Sequence, residues 1–297
     1  MPMRGLQKGP VILGVAFALG LSGCATTLPI TSDALGALRA GVTEADAQAR
    51  LSLEGANDIA RGQALQRIAE SDALTLKEAD FPLAVAREDA AQWRAAFGVL
   101  DAYLGELQNL VDPARATATG DAIMALGNEL RGGVIGAKLP ASVQGLFAAF
   151  GEALIQARAE KSARDIMRAT DRAFGQVMTG MADAVGRDAS ANLRGTVRRN
   201  LQTVADRASA SFAEARASGL KARRKAAEDY LAAIDERDRQ DAALQQLSDS
   251  LIALGEAHAA AAAGEPATVG FWVRRIAAFH DDARRRIAEA RQAGDEE

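Results

Sequence analysis

The chain has 297 residues, of which 48% are hydrophobic and 25% charged, and a formal net charge of −4 at pH 7. That mildly acidic balance argues against a nucleic-acid binder, and a single cysteine excludes a disulfide framework or a paired-cysteine zinc site. Aromatic residues make up only 4%, so the helix faces on offer are thin, rich in small residues and suited to long helices lying side by side.

At the N-terminus Arg4 and Lys8, with no acid near them, precede the apolar run from Val11 to Leu21, broken only by Gly14 and Gly20. A basic stretch followed by an apolar run too short to span a bilayer predicts a secretory signal peptide over residues 1–23. The lone cysteine stands at its end, in Leu21-Ser22-Gly23-Cys24. This stretch resembles the lipobox of bacterial lipoprotein precursors. The resemblance implies a diacylglyceryl group on the Cys24 thiol, cleavage before Cys24, acylation of the new amine by a chain such as palmitate, and attachment to a membrane through that anchor. Ala25 occupies the place where Asp usually retains proteobacterial lipoproteins in the inner membrane. The resemblance therefore implies the outer membrane, at its periplasmic face. Cleavage would remove Arg4 and Lys8 and no acid, leaving 33 basic and 39 acidic residues, net −6. Residues 24–32 read as a lipidated tether and 33–297 as the folded domain.

From Asp33 onward the helical period dominates, and no segment sustains the alternation of a strand. The expected fold is all-α, an elongated antiparallel bundle of coiled-coil-like hairpins. A first helix is predicted over 43–74, capped by Thr43 with acids in its first turn, and with the stripe Leu51, Ile59, Leu65 and Ile68. A second is predicted to start at Pro82 and to end before Pro113. Ala86, Ala90, Trp93, Phe97, Leu100, Leu104, Leu107 and Val111 recur in it at steps of four and three. On that stripe Trp93 and Phe97 read as core and not as a ligand box.

A shorter helix carries Ile123, Leu126 and Leu130. Residues 132–155 then hold Lys138 and Glu152 as their only charges. Broken by Pro140 and several glycines, this segment is too interrupted for a membrane span and reads as a buried hairpin. The alternative is a membrane-inserting tip, loosely similar in pattern to helical pore-forming toxins.

After a charged patch at 158–165 the stripe resumes through Met167, Thr170, Phe174, Val177, Met181 and Ala184. Gly186 is predicted to stop that helix and Asp188 to cap the next, with a sub-boundary near 186–188. The remaining pattern, from Leu193 to Ala262, must break at Gly219 or within 235–241, where the seam would hold the charges Arg237 and Asp241. A last amphipathic helix carries Val269, Trp272, Ile276, Phe279 and Ala283.

No motif for nucleophilic, phosphate or calcium chemistry occurs. Of the two histidines, His258 stands alone, and His280-Asp281-Asp282 fans around a helix, so these groups cannot converge on one ion. Ion pairs Asp281–Arg285 and Asp282–Arg286 are expected instead. Lys221-Ala222-Arg223-Arg224-Lys225, with Arg198-Arg199, reads as a solvated face because Glu228 and Asp229 follow at pairing distance. These readings predict no enzyme, no metal, no cofactor and no nucleic acid. They predict a lipid-anchored envelope scaffold or adaptor that works through helical contacts with another envelope protein, with self-association as an open alternative.

Overall fold

The structure is a computed structural model. It describes residues 30–295 other than 70, 72–74, 112–115, 133–135, 137–138, 158–159, 161 and 191, and the side chains of 116–120 and 286–295 lie outside the description as well. The protein is an all-α bundle, 89% helical, with eight α-helices and no strand among the described residues. In chain order these are α1 (Ser32–Ala69), α2 (Arg87–Val111), α3 (Ala116–Gly132), α4 (Ala141–Gln156), α5 (Ala163–Val185), α6 (Asn192–Glu214), α7 (Leu220–Ala263) and α8 (Pro266–Asp295).

The hub is α7, which packs against α1, α5, α6 and α8. Its 44 residues give a rod of about 66 Å. Ser250 meets Gln48 of α1, Ser248 meets Ala182 of α5, and Asp241 meets Arg194 of α6, so all three partners run antiparallel to it. The second pair of helices, α1 and α2, is antiparallel too, since Arg39 reaches Asp101 near one end and Asn57 holds the Val85 amide at the other.

The first helix starts earlier than its periodicity suggests. Thr31 caps it, accepting the Ala34 amide at 3.2 Å, while Thr43 lies inside the helix with its hydroxyl donated to the Arg39 carbonyl. The buried face is not the predicted large-residue stripe. It is Leu35, Leu38, Val42, Ala45, Ala49, Leu53, Ala56, Ala60 and Ala64, and Leu65 is 59% exposed. Alanine forms this face because α7 and α8 approach closely there: a Cβ on Gly41 would stand 3.2 Å from Leu254 and 3.4 Å from Ile276.

The second helix begins at Arg87 and not at Pro82. Its predicted stripe is buried from Trp93 to Leu107, yet the face is wider than a coiled-coil seam, since Ala96, Val99 and Tyr103 are buried with it. The reason is that α2 packs on three helices, α1, α3 and α5, and not on one partner.

The hairpin expected within residues 132–155 is instead made by α3, which ends at Gly132, and α4, so that segment supplies only its second helix. Val143, Phe147, Phe150 and Leu154 are 0% exposed. A glycine pair fixes the crossing: a Cβ on Gly127 would sit 2.8 Å from the Gly151 carbonyl oxygen, and one on Gly151 would sit 2.6 Å from that of Gly127. No helix among the described residues is long and apolar enough to cross a membrane.

Gly186 ends α5 in the left-handed region, as predicted. Asp188 does not cap α6. Its carboxylate instead accepts the amide and hydroxyl of Ser190 in a local turn. Of the two predicted breaks the chain uses Gly219, and α7 runs unbroken through 235–241. The charges there are accommodated because Arg194 of α6 donates to both Asp241 oxygens, at 2.7 and 2.8 Å. Arg237 meanwhile reaches Gln202 of α6.

Candidate functional site

The residues singled out in the sequence for anchoring, Leu21, Ser22, Gly23, Cys24 and Ala25, lie outside the described residues. The chain enters the description at Ile30, which packs against the core. Gln108 near the end of α2 reaches the Ser32 carbonyl. The start of α1 therefore shares one end of the bundle with the last turn of α7, the loop before α8 and the first turn of α5. Arginines of α5 complete that end. Arg164 and Arg168 donate to the Ala262 carbonyl at 3.1 Å, and Arg164 also to that of Ala263, so the last carbonyls of α7 are capped by cations.

Inside the bundle the structure assembles a polar chain that no spacing in the sequence announces. His258 of α7 is 0% exposed. Its Nδ1 lies 2.9 Å from Asp171 Oδ1 and its Nε2 3.0 Å from the Tyr103 hydroxyl, which lies 2.9 Å from Thr170 Oγ1. One proton arrangement satisfies every member: His258 carries its proton on Nδ1 and donates it to Asp171, Tyr103 donates to His258 Nε2, and Thr170 donates to Tyr103 or to the Ile166 carbonyl 2.8 Å away. Phe174 stacks on the imidazole at 4.1 Å and 12°, and Phe150 meets Tyr103 edge-on at 5.1 Å. Burial lowers the His258 pKa, opposed in part by Asp171. Burial also raises that of Tyr103. Both groups are thereby held neutral.

Beside this chain α5 and α7 leave a groove of about 560 Å³ lined by Asp171, Asp183, Glu256, Gly175, Gly255 and others. Only Asp171, whose side chain is 38% exposed, joins the groove to the buried pair. The imidazole and the phenol are themselves fully buried, and their hydrogen bonds fasten α2, α5 and α7 to one another.

His280 lies apart from this network, with Nε2 3.4 Å from Glu44. Asp282 pairs with Arg285, the expected partner of Asp281 and one residue nearer than the expected Arg286, whose side chain lies outside the description. Among the described residues no group of three His, Cys, Asp or Glu side chains could hold a metal.

The most exposed feature is the far part of the α6–α7 hairpin. Beyond Asp241 the two helices have few other neighbours: Ala226 and Ala233 are the only residues of α7 from 220 to 239 that are buried. On this arm Phe212, Leu220, Tyr230 and Leu231 are exposed large hydrophobics, Leu220 at 84%. At its base Ile59, Gly62, Leu201, Val204 and Ala208 line a second groove, of about 430 Å³, between α1 and the hairpin. The basic cluster lies on this arm. Arg224 and Lys225 make the expected pairs with Glu228 and Asp229, and Arg223 covers the Phe212 ring at 5.5 Å. The sequence showed the cluster, but only the break at Gly219 makes it an apex. Comparison with family models, with curated proteins and with solved structures finds no match.

Proposed function

We propose that this protein is a lipid-anchored, non-enzymatic envelope scaffold, attached through Cys24 to the periplasmic face of the outer membrane, that presents the α6–α7 arm to a helical partner protein. The observation that carries the reading is the placement of the arm: the start of α1 and the arm apex lie at opposite ends of α7, roughly 60 Å apart along its axis. A chain tethered at its first residues would hold the arm away from the membrane. The arm's exposed apolar side chains and the groove at its base are the docking features such a scaffold needs. The membrane-inserting alternative for 132–155 has less support, because Phe147 and Phe150 would first have to leave a closed core.

Two measurements in cells test the reading. Labelled palmitate is expected in the wild type and absent from Cys24→Ala, and label in both would remove the anchor. Photocrosslinkers at Leu231 and Ala208 are expected to capture one and the same protein, identified by mass spectrometry, while a crosslinker at Arg94 on α2 captures none. Capture of a second copy of this chain would point to self-association, and equal capture from all three positions would overturn the arm as the docking element.

A further inference from the structure

The arm's flanks and base groove suit a helical partner, but its apex is a different surface. Between residues 212 and 225 stand Arg216, Lys221, Arg223, Arg224 and Lys225 against one acid, Glu214, in a chain whose net charge is −4. The apex is also where α7 begins. The first turn of that helix contains no acid, and Gly219 offers no side chain to cap it, so cations crowd the positive end of the helix dipole. Arg224 and Lys225 pair with Glu228 and Asp229 one turn on, but crowding cations at this end of the helix dipole still disfavours the helix, and an external anion offsets it. At the tip itself Leu220 is 84% exposed, and the Phe212 ring lies beneath the Arg223 guanidinium.

We infer that the apex, residues 212–225, docks on an anionic bilayer surface: the cations meet lipid phosphates and Leu220 enters the interface between headgroups and acyl chains. Long flexible cations around one projecting apolar residue match a flat, laterally mobile anionic surface. A folded acidic protein would require a concave site or a larger apolar patch, and the groove beside this hairpin lies along its α1 side, from Leu201 to Ser211 and Asp229, and not at Leu220. Where the chain is anchored by Cys24, as proposed above, the apex faces away from the anchoring membrane and the bilayer it meets is a second one. The inference rests on that reading only for this geometry.

The test uses the full acylated chain reconstituted in neutral phosphatidylcholine vesicles. Flotation with those vesicles reports the anchor. Addition of free vesicles containing phosphatidylglycerol, followed by light scattering, reports the apex. Clustering is expected with the anionic vesicles and not with further neutral ones, and is expected to weaken steeply as salt rises. Lys221→Glu combined with Arg223→Glu is expected to reduce it at least tenfold, and Leu220→Asp to reduce it with the charge unchanged at all five cations. Reversing the exposed Arg94 and Arg284, the same change in net charge elsewhere, is expected to leave it intact. Circular dichroism verifies that each variant is folded. Should the chain fail to float, the anchor fails, and co-sedimentation of the same chain with anionic vesicles then decides the apex alone. Equal clustering by neutral and anionic vesicles, or by apex and control variants, would overturn the inference, as would apex binding to an acidic protein with no binding to lipid.

Discussion

Tyr103 and His258 lie 155 residues apart, and each completes the other. Without Tyr103 the buried His258 Nε2 would lose its hydrogen bond, at about 1–3 kcal/mol, while Tyr103 without His258 would keep Thr170. The histidine also fixes the sign of one pH dependence. Its folded pKa is lowered from 6.5 by burial, so on acidification the unfolded chain takes up the proton first. The stability it contributes is full above about pH 6.5 and is lost as the pH falls below that value. Denaturation midpoints are expected to fall between pH 7 and pH 5 in the wild type and to fall less in His258→Gln; parallel profiles would show that His258 does not titrate in this way. Asp101 behaves differently. It is bound by Arg39, whose hydrogen bond holds its carboxyl below the usual range, yet both side chains are well exposed. Asp101→Ala is therefore expected to cost no more than about 1 kcal/mol. Elsewhere on the same helix, at buried positions, Phe97→Ala is expected to cost about 3–5 and Leu100→Ala about 2–5 kcal/mol. Chemical denaturation of the three checks this ranking. That Phe97 and Leu100 are core was legible from their spacing; that Tyr103 belongs with them was not, because a four-three stripe anticipates one partner helix and α2 has three.

Between elements the informative case is the α6–α7 seam. Charges at Arg237 and Asp241 look like a reason for a bend as long as α7 is considered alone. Against α6 they are a reason for adhesion: the Arg194 and Asp241 side chains are 7% and 17% exposed, and the hydrogen bond from Arg194 holds the Asp241 carboxyl below its ordinary pKa. Removing one partner from a pair so enclosed leaves the other with weaker partners only, Arg198 at 3.4 Å for Asp241 and Gln245 for Arg194. Arg194→Ala or Asp241→Ala is expected to lose about 3 kcal/mol, while Arg194→Met combined with Asp241→Leu regains most of that loss. Equilibrium unfolding of the singles and the double gives the coupling, and additive losses would exclude a specific pair. The sequence contains both residues, 47 positions apart, but nothing in either neighbourhood reveals which helix faces which. The same holds for Gly127 and Gly151, whose mutual approach sets the α3–α4 crossing.

For the molecule as a whole, α7 joins two regimes in one unbroken helix. From Ala243 to Ala262 it is enclosed by α1, α5 and α8, and thirteen of these twenty residues are buried. From Leu220 to Arg239 it has α6 for company and little else. Hydrogen exchange is expected to follow that division, with amides of 222–236 exchanging well before those of 247–260, since opening the arm breaks few apolar contacts. Uniform protection along α7 would mean that the arm is packed more tightly than its exposed side chains indicate.

The sequence alone determined the helical class, the end of α5 at Gly186, and the core stripes of α2 and α5, because periodicity and helix-stop chemistry are local; it offered two places for the break before α7, of which the fold uses Gly219. It also carried the lipobox resemblance at Cys24, a linear pattern that needs no fold. Tertiary structure decided that alanines together with Leu35, Leu38, Val42 and Leu53, and not the predicted stripe, form the buried face of α1, that seam charges fasten α7 to α6, that Asp171, His258, Tyr103 and Thr170 form one chain, and that the basic cluster is an apex. Each of these depends on which helices lie side by side, and that choice is made by burying complementary surfaces across dozens of residues, a quantity no local window contains.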